Sequence, residues 1–109
     1  MQIVKLRTRK NYAEASNHVL VGAVIFETDT YITLHCRSFH YKAITLDSDQ
    51  VVEGTTETRI VPWSNVECMS ILEDDFPWET AALDRCEEGI CLKEGDQATL
   101  VTRYKVSHQ

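Results

Sequence analysis

Residues 19–34, VLVGAVIFETDTYITL, join two apolar, β-branched runs through a polar break at Glu27, Thr28, Asp29 and Thr30. Branched side chains suit a pleated surface, so each run reads as a strand and the pair as a β-hairpin. In the second run Tyr31, Thr33 and His35 alternate with Ile32, Leu34 and Cys36, the period of two that turns one face inward. Gly22 interrupts the first run, and a glycine inside a strand marks a bend, a bulge or a close backbone approach. Residues 59–72, RIVPWSNVECMSIL, repeat the form. Pro62 has no N–H for a ladder and ends the first strand or lies on its edge, Trp63 occupies the turn, and the final strand puts Val66 and Cys68 opposite Glu67, Met69 and Ile71. Two such units predict a small barrel.

Working outward, residues 2–6 supply Ile3, Val4 and Leu6 for a first strand. Residues 7–17 break the pattern, and the single helical turn offered by Tyr12, Ala13, Glu14 and Ala15 is too short to stand alone, so the segment reads as a loop. Alternation continues through Phe39, Tyr41 and Ala43; Asp47, Ser48 and Asp49 form a turn cluster; Val51 and Val52 restart a strand; and residues 54–58 read as an exposed edge. Asp74, Asp75 and Pro77 then look like a helix start and Gly89 its stop. Trp78, Ala82 and Cys86 recur every fourth residue, while Asp84, Arg85, Glu87 and Glu88 face water, predicting one amphipathic helix of about three turns. Residues 91–106 read as a terminal hairpin turning at 93–97, with Leu100, Thr102 and Tyr104 alternating with Val101, Arg103 and Lys105.

A chain of 109 residues is expected to form one domain, 1–109, with 1–72 as barrel core and 73–109 as a helix-plus-hairpin extension. A formal charge of −6 opposes binding to phosphate backbones, which depends on Lys and Arg displacing counterions. The charge is uneven: Lys5, Arg7, Arg9 and Lys10 make the N-terminal region basic, whereas residues 67–96 are acidic with only Arg85 and Lys93 in opposition. No apolar run approaches the ~18–20 residues that span a bilayer, and Met1 leads into a polar, basic segment, so the expected location is the cytoplasm, away from membranes. Cys36, Cys68, Cys86 and Cys91 are then expected to be reduced, buried thiols.

Chemical constellations are sparse. His35, Cys36 and His40 lie close together, but zinc sites take ligands in tight pairs such as C-x₂-C, Cys86 and Cys91 are too far apart for one, and strand alternation sends His35 and Cys36 to opposite faces. A nucleophilic cysteine needs an activating imidazole or helix N-terminus; Cys86 is placed near a helix C-terminus and Cys91 among Glu87, Glu88 and Glu94, while Cys36 and Cys68 fall in strands. Glu73, Asp74 and Asp75 are explained as a solvated helix start, with weak magnesium binding the alternative. No phosphate-loop, dinucleotide or nucleophile-elbow pattern occurs. No metal, cofactor or enzymatic activity is therefore expected. Tyr31 and Trp63 remain as aromatic residues on turns, the usual platform for unpaired bases, against the alternative that Trp63 caps the barrel or enters a subunit contact.

Gly22, Val24, Asp29, Tyr31, Ile32 and Leu34, followed by Ile60, Val61, Val66 and Ile71, resemble the two motifs of the Sm-like family of small RNA-binding barrels, over roughly residues 19–72. Where that family carries an Arg-Gly or Lys-His pair, this chain has Pro62, Trp63, Ser64 and Asn65. The resemblance implies a bent five-stranded barrel and a homo-oligomeric ring made by joining edge strands. The expected fold is thus mainly β: an Sm-like five-stranded small barrel, one α-helix and a C-terminal β-hairpin. The expected function is a non-enzymatic oligomeric module binding single-stranded RNA through Asp29, Tyr31 and Trp63. The alternative is a protein-interaction or structural module that docks a basic partner and binds no nucleic acid.

Overall fold

A computed structural model describes residues 1–10, 17–42 and 51–103. The expectations for Tyr12 to Ala15, for Ala43, for the turn at Asp47, Ser48 and Asp49, and for a strand continuing through residues 104–106 lie outside them. Nine strands are described: β1 (Ile3–Thr8), β2 (Asn17–Glu27), β3 (Tyr31–Tyr41), β4 (Val52–Glu53), β5 (Glu57–Pro62), β6 (Val66–Leu72), β7 (Ala82–Cys86), β8 (Gly89–Glu94) and β9 (Gln97–Arg103), with a 3₁₀ turn at Trp63–Asn65. They form two antiparallel sheets. In the larger, β6, β1, β2 and β3 lie side by side, and β4 and β5 share the far flank of β3; the smaller has the order β7-β8-β9.

The larger sheet is strongly coiled. Arg7 pairs with Val19 on β2, and the β2–β3 tip begins after Glu27, about 26 Å away along an extended strand. Yet one three-residue turn touches both places: Trp63 N donates to Thr30 O at 3.0 Å, and Asn65 O accepts from Arg9 N at 2.9 Å. Two sequence features permit the coil. At Gly22 a Cβ would stand 2.6 Å from Cys36 Cα, so only glycine lets β3 approach so closely, and a register shift between Val24 and Phe26 leaves Ile25 unpaired as a bulge. Coiling encloses an inner core of Val4, Leu6, Leu20, Ile32, Leu34, Cys36 and Val61, with Trp63, Val66 and Met69 packed against it. Met69 joins Val66 inside, not the opposite face, because the ladder with β1 shifts register between Arg7 and Thr8 and Glu67 drops out of it.

The other face of the same sheet bears Ile3, Val19, Val21, Phe39 and Tyr41, and is covered by Phe76, Trp78 and Ala81 together with Ile90 and Leu92 of β8. Long cationic side chains tie this second layer down. Arg37 donates to Trp78 O at 3.0 Å and Ala81 O at 2.6 Å; Lys5 donates to Thr99 Oγ1 at 2.9 Å and to Leu100 O; Arg7 donates to Thr102 Oγ1 at 2.7 Å and to Val101 O.

These observations correct the expected architecture. The molecule is all-β, and no α-helix occurs among the described residues. The large sheet is not a closed barrel, because β5 and β6, joined by the 3₁₀ turn, do not pair. Where a helix was expected, residues 73–81 form an irregular strap with turns closed by Phe76 N to Glu73 O (3.0 Å) and Ala81 N to Pro77 O (3.0 Å), and β7 follows. Glu87 and Glu88 are the two-residue connection of the β7–β8 hairpin. Gly89 is no helix stop: a Cβ there would collide with Thr102 O and lie 2.9 Å from Arg103 Cα on β9. The terminal hairpin is β8–β9, turning at Gly95 and Asp96, where Gly95 takes the positive φ (+60°) that primed hairpin turns require. The cysteines are corrected as well. Cys86 and Cys91 form a disulfide, Cys68 is exposed, and Cys36 alone is a buried free thiol, its pKa pushed by burial up to about 11.

Candidate functional site at the open seam

Asp29, Tyr31 and Trp63 come to one end of the coiled sheet. The β2–β3 turn is organised by Thr28, whose Oγ1 accepts from the backbone N–H groups of Thr30 (3.2 Å) and Tyr31 (3.1 Å), a local bond that favours Thr at such positions. Trp63 Nε1 donates to Thr28 O at 2.7 Å, and its ring packs on the inner core. The two turns singled out by sequence are therefore latched together. Tyr31 is half-buried, pairs with Pro62 and lies 6.3 Å from the Phe26 ring, while Asp29 is exposed. Trp63, with its polar edge spent and its ring half-buried, acts chiefly as a latch; Tyr31 is the more available aromatic. A cation reaches the turn from beyond β1: Arg9 donates from Nε to Ser64 O at 3.0 Å.

A second set of polar groups converges where β5 and β6 part. Thr8 ends β1, His18 is the second residue of β2, Arg59 lies on β5 and Asn65 closes the 3₁₀ turn; with Leu20 and Val61 they line a cavity of about 220 Å³. Alternation places them there: His18 has the parity of inward Leu20, and Arg59 that of inward Val61. His18 pairs in register with His40 and stacks on it, ring centroids 4.1 Å apart and 9° from parallel. Its Nδ1 is 3.1 Å from Thr8 Oγ1. Burial, then the neighbouring His40 and Arg59, hold the His18 pKa down at about 4; burial and Arg59 also lower that of His40. Both rings are thus neutral at pH 7. Arg59 is ion-paired with Glu57. Two buried nitrogens, His18 Nε2 and Arg59 Nε, have no hydrogen-bond partner among the described residues. Beside this cavity a groove of about 410 Å³ is lined by Arg7, Arg9, Lys10, Asn17 and Glu67.

Sequence reasoning missed Thr8, His18, Arg59 and Asn65. The available signal was parity, a titratable side chain on the inward set of an apolar strand; what brings the four together is the coil. Among the described residues no group of three or more His, Cys, Asp or Glu is placed to hold a metal ion. His35 packs edge-on against Trp78 on the outer face, while Cys36 belongs to the inner core. No described helix is long and apolar enough to cross a membrane. No family model, curated protein or solved structure matches this chain.

Proposed function

We propose that the chain is a non-enzymatic, self-associating β module whose copies join edge to edge, β5 of one against β6 of the next. One observation carries this reading: among the described residues each of these strands pairs on one side only, and they carry Ile60 and Ile71, 67% and 65% exposed. An unpaired edge is a template for another strand. Repeated heterologous joining closes a ring when the rotation per subunit allows. Light scattering at tens of micromolar tests it: the expected mass is a multiple of 12.5 kDa, falling to one subunit in Ile60→Lys/Ile71→Lys. A monomeric wild type discards the proposal.

A second reading, single-stranded RNA held at the latched turns, is favoured by Arg9 on Ser64, a cation on the turn that carries Trp63, where the Arg-Gly or Lys-His pair is absent. Tyr31→Ala is then expected to weaken a short oligonucleotide by ~1–3 kcal/mol, with strong salt dependence. Failure of the wild type to bind any such oligonucleotide at low salt removes this reading. Placement in the cytoplasm belongs to the same proposal, and Cys86–Cys91 is its check: a bond that stays oxidised in cells points to an oxidising compartment.

A further inference from the structure

We propose that the seam cavity binds a phosphate monoester, its oxygens accepting hydrogen bonds from His18 and Arg59 while Thr8 orients the His18 ring. This inference rests on different atoms from the self-association proposal, although Ile60 is common to both. Native proteins leave few buried polar atoms unpartnered, and those that remain commonly mark where an ion or ligand completes the network. Here two such nitrogens, His18 Nε2 and Arg59 Nε, belong to side chains lining one cavity. The Thr8 hydroxyl lies 3.1 Å from His18 Nδ1; in the tautomer assigned by this proposal the hydroxyl donates, the ring proton sits on Nε2, both unpartnered nitrogens are donors and the missing partner is an acceptor.

Charge identifies the acceptor as an anion. The chain carries −6 overall, but this corner holds Arg59 in the cavity and Arg9 and Lys10 in the adjoining groove, whose third cation, Arg7, is held by Val101 O and Thr102 Oγ1 of β9. Glu57, paired with Arg59, and Glu67 in the groove are the opposing carboxylates among those described residues. Arg59, with Arg9 and Lys10 nearby, favours a dianion over a carboxylate. About 220 Å³ accepts a phosphoryl group, and Leu20, Ile60, Val61 and Pro62 supply an apolar wall for the esterified carbon.

NMR of the full-length protein, following the His18 ring nitrogens at constant ionic strength, tests this with inorganic phosphate, a nucleoside 5′-monophosphate, acetate and an oligonucleotide lacking terminal phosphate. The expected result is a saturable His18 shift with phosphate and the monophosphate and none with acetate. Arg59→Gln should weaken binding at least tenfold, and Arg59→Lys, which keeps the charge but lacks Nε–H, several-fold. Arg103→Gln, on β9, should leave binding unchanged. Thr8→Val, which frees the ring, provides a second variant should Arg59→Gln fail to fold, and is expected to weaken binding several-fold. No saturable shift, equal binding of acetate, undiminished affinity in Thr8→Val, or a response to the oligonucleotide alone would overturn the assignment. The mass measurement is separate, so failure of one proposal does not imply failure of the other.

Discussion

Both faces of the large sheet are buried, one under aliphatic side chains and Cys36, the other under a set that includes Phe39, Tyr41, Phe76 and Trp78, and they are closed in different ways. The inner core is made by the sheet coiling on itself, and its members, Val4, Leu6, Leu20, Ile32, Leu34, Cys36 and Val61, are apolar or weakly polar. The outer core is made by a separate layer laid over the sheet, and between the layers stand Lys5, Arg7 and Arg37 with their heads on backbone oxygens of that layer. An irregular strap has carbonyls that no ladder satisfies, and buried carbonyls require partners. Arg37 supplies them for Trp78 and Ala81, stacks its guanidinium 4.8 Å from the Phe39 ring centroid and pairs with Glu53 at 3.7 Å. Volume therefore decides the inner core; hydrogen-bond satisfaction decides the outer one.

The largest test of this contrast is Leu34→Ala. Leu34 is fully buried in the inner core, and the deletion should cost ~2–5 kcal/mol of global stability, read as a lowered denaturant midpoint for every probe. Arg37→Ala should act on the other layer. Losing two charge-assisted bonds to partly buried carbonyls is worth ~2–3 kcal/mol, and hydrogen exchange should accelerate in residues 73–94 while β1 and β2 stay protected. Uniform acceleration throughout the chain would show that the layers are not separable in this way. The smallest effect is electrostatic and belongs to the inner side. The folded state holds His18 at about 4, below the 6.5 of the unfolded chain, so between these values the unfolded state binds more protons. The stabilisation is complete above about pH 6.5 and is lost as pH falls towards about 4. Allowing for partial solvent screening it amounts to ~1 kcal/mol, and the melting temperature of His18→Gln should vary less across that window than that of the wild type.

How far the sequence discloses this molecule follows from the same contrast. Residues 19–34 and 59–72 show their strands because one face of each is selected for burial in the coil, and Gly22 marks the place where β3 comes closest. The strap and β7 do not show. Ala82 and Cys86 are four apart, and a spacing of four returns to the same face in a helix and in a strand alike, so it cannot separate the two. The intrinsic preferences of Ala, Leu and Arg favoured a helix, and pairing with β8 together with the Cys86–Cys91 bond overrode them. For the candidate site the limit is topological. Thr8, His18 and Arg59 sit on three strands and meet only because a flat sheet becomes a coil, while Trp63, read as a base-stacking surface, spends its N–H on Thr28.

The latch at Trp63 has an optical consequence. The chain contains two tryptophans, and they divide between the cores: Trp63 packs on the inner one, and Trp78, 6% exposed beside His35, lies in the outer one. Intrinsic fluorescence is therefore a two-channel signal. In a Trp63→Phe protein the emission reports on the covering layer, in a Trp78→Phe protein on the coil, and superimposing the two unfolding curves reveals whether the layers melt as a single cooperative unit or in sequence.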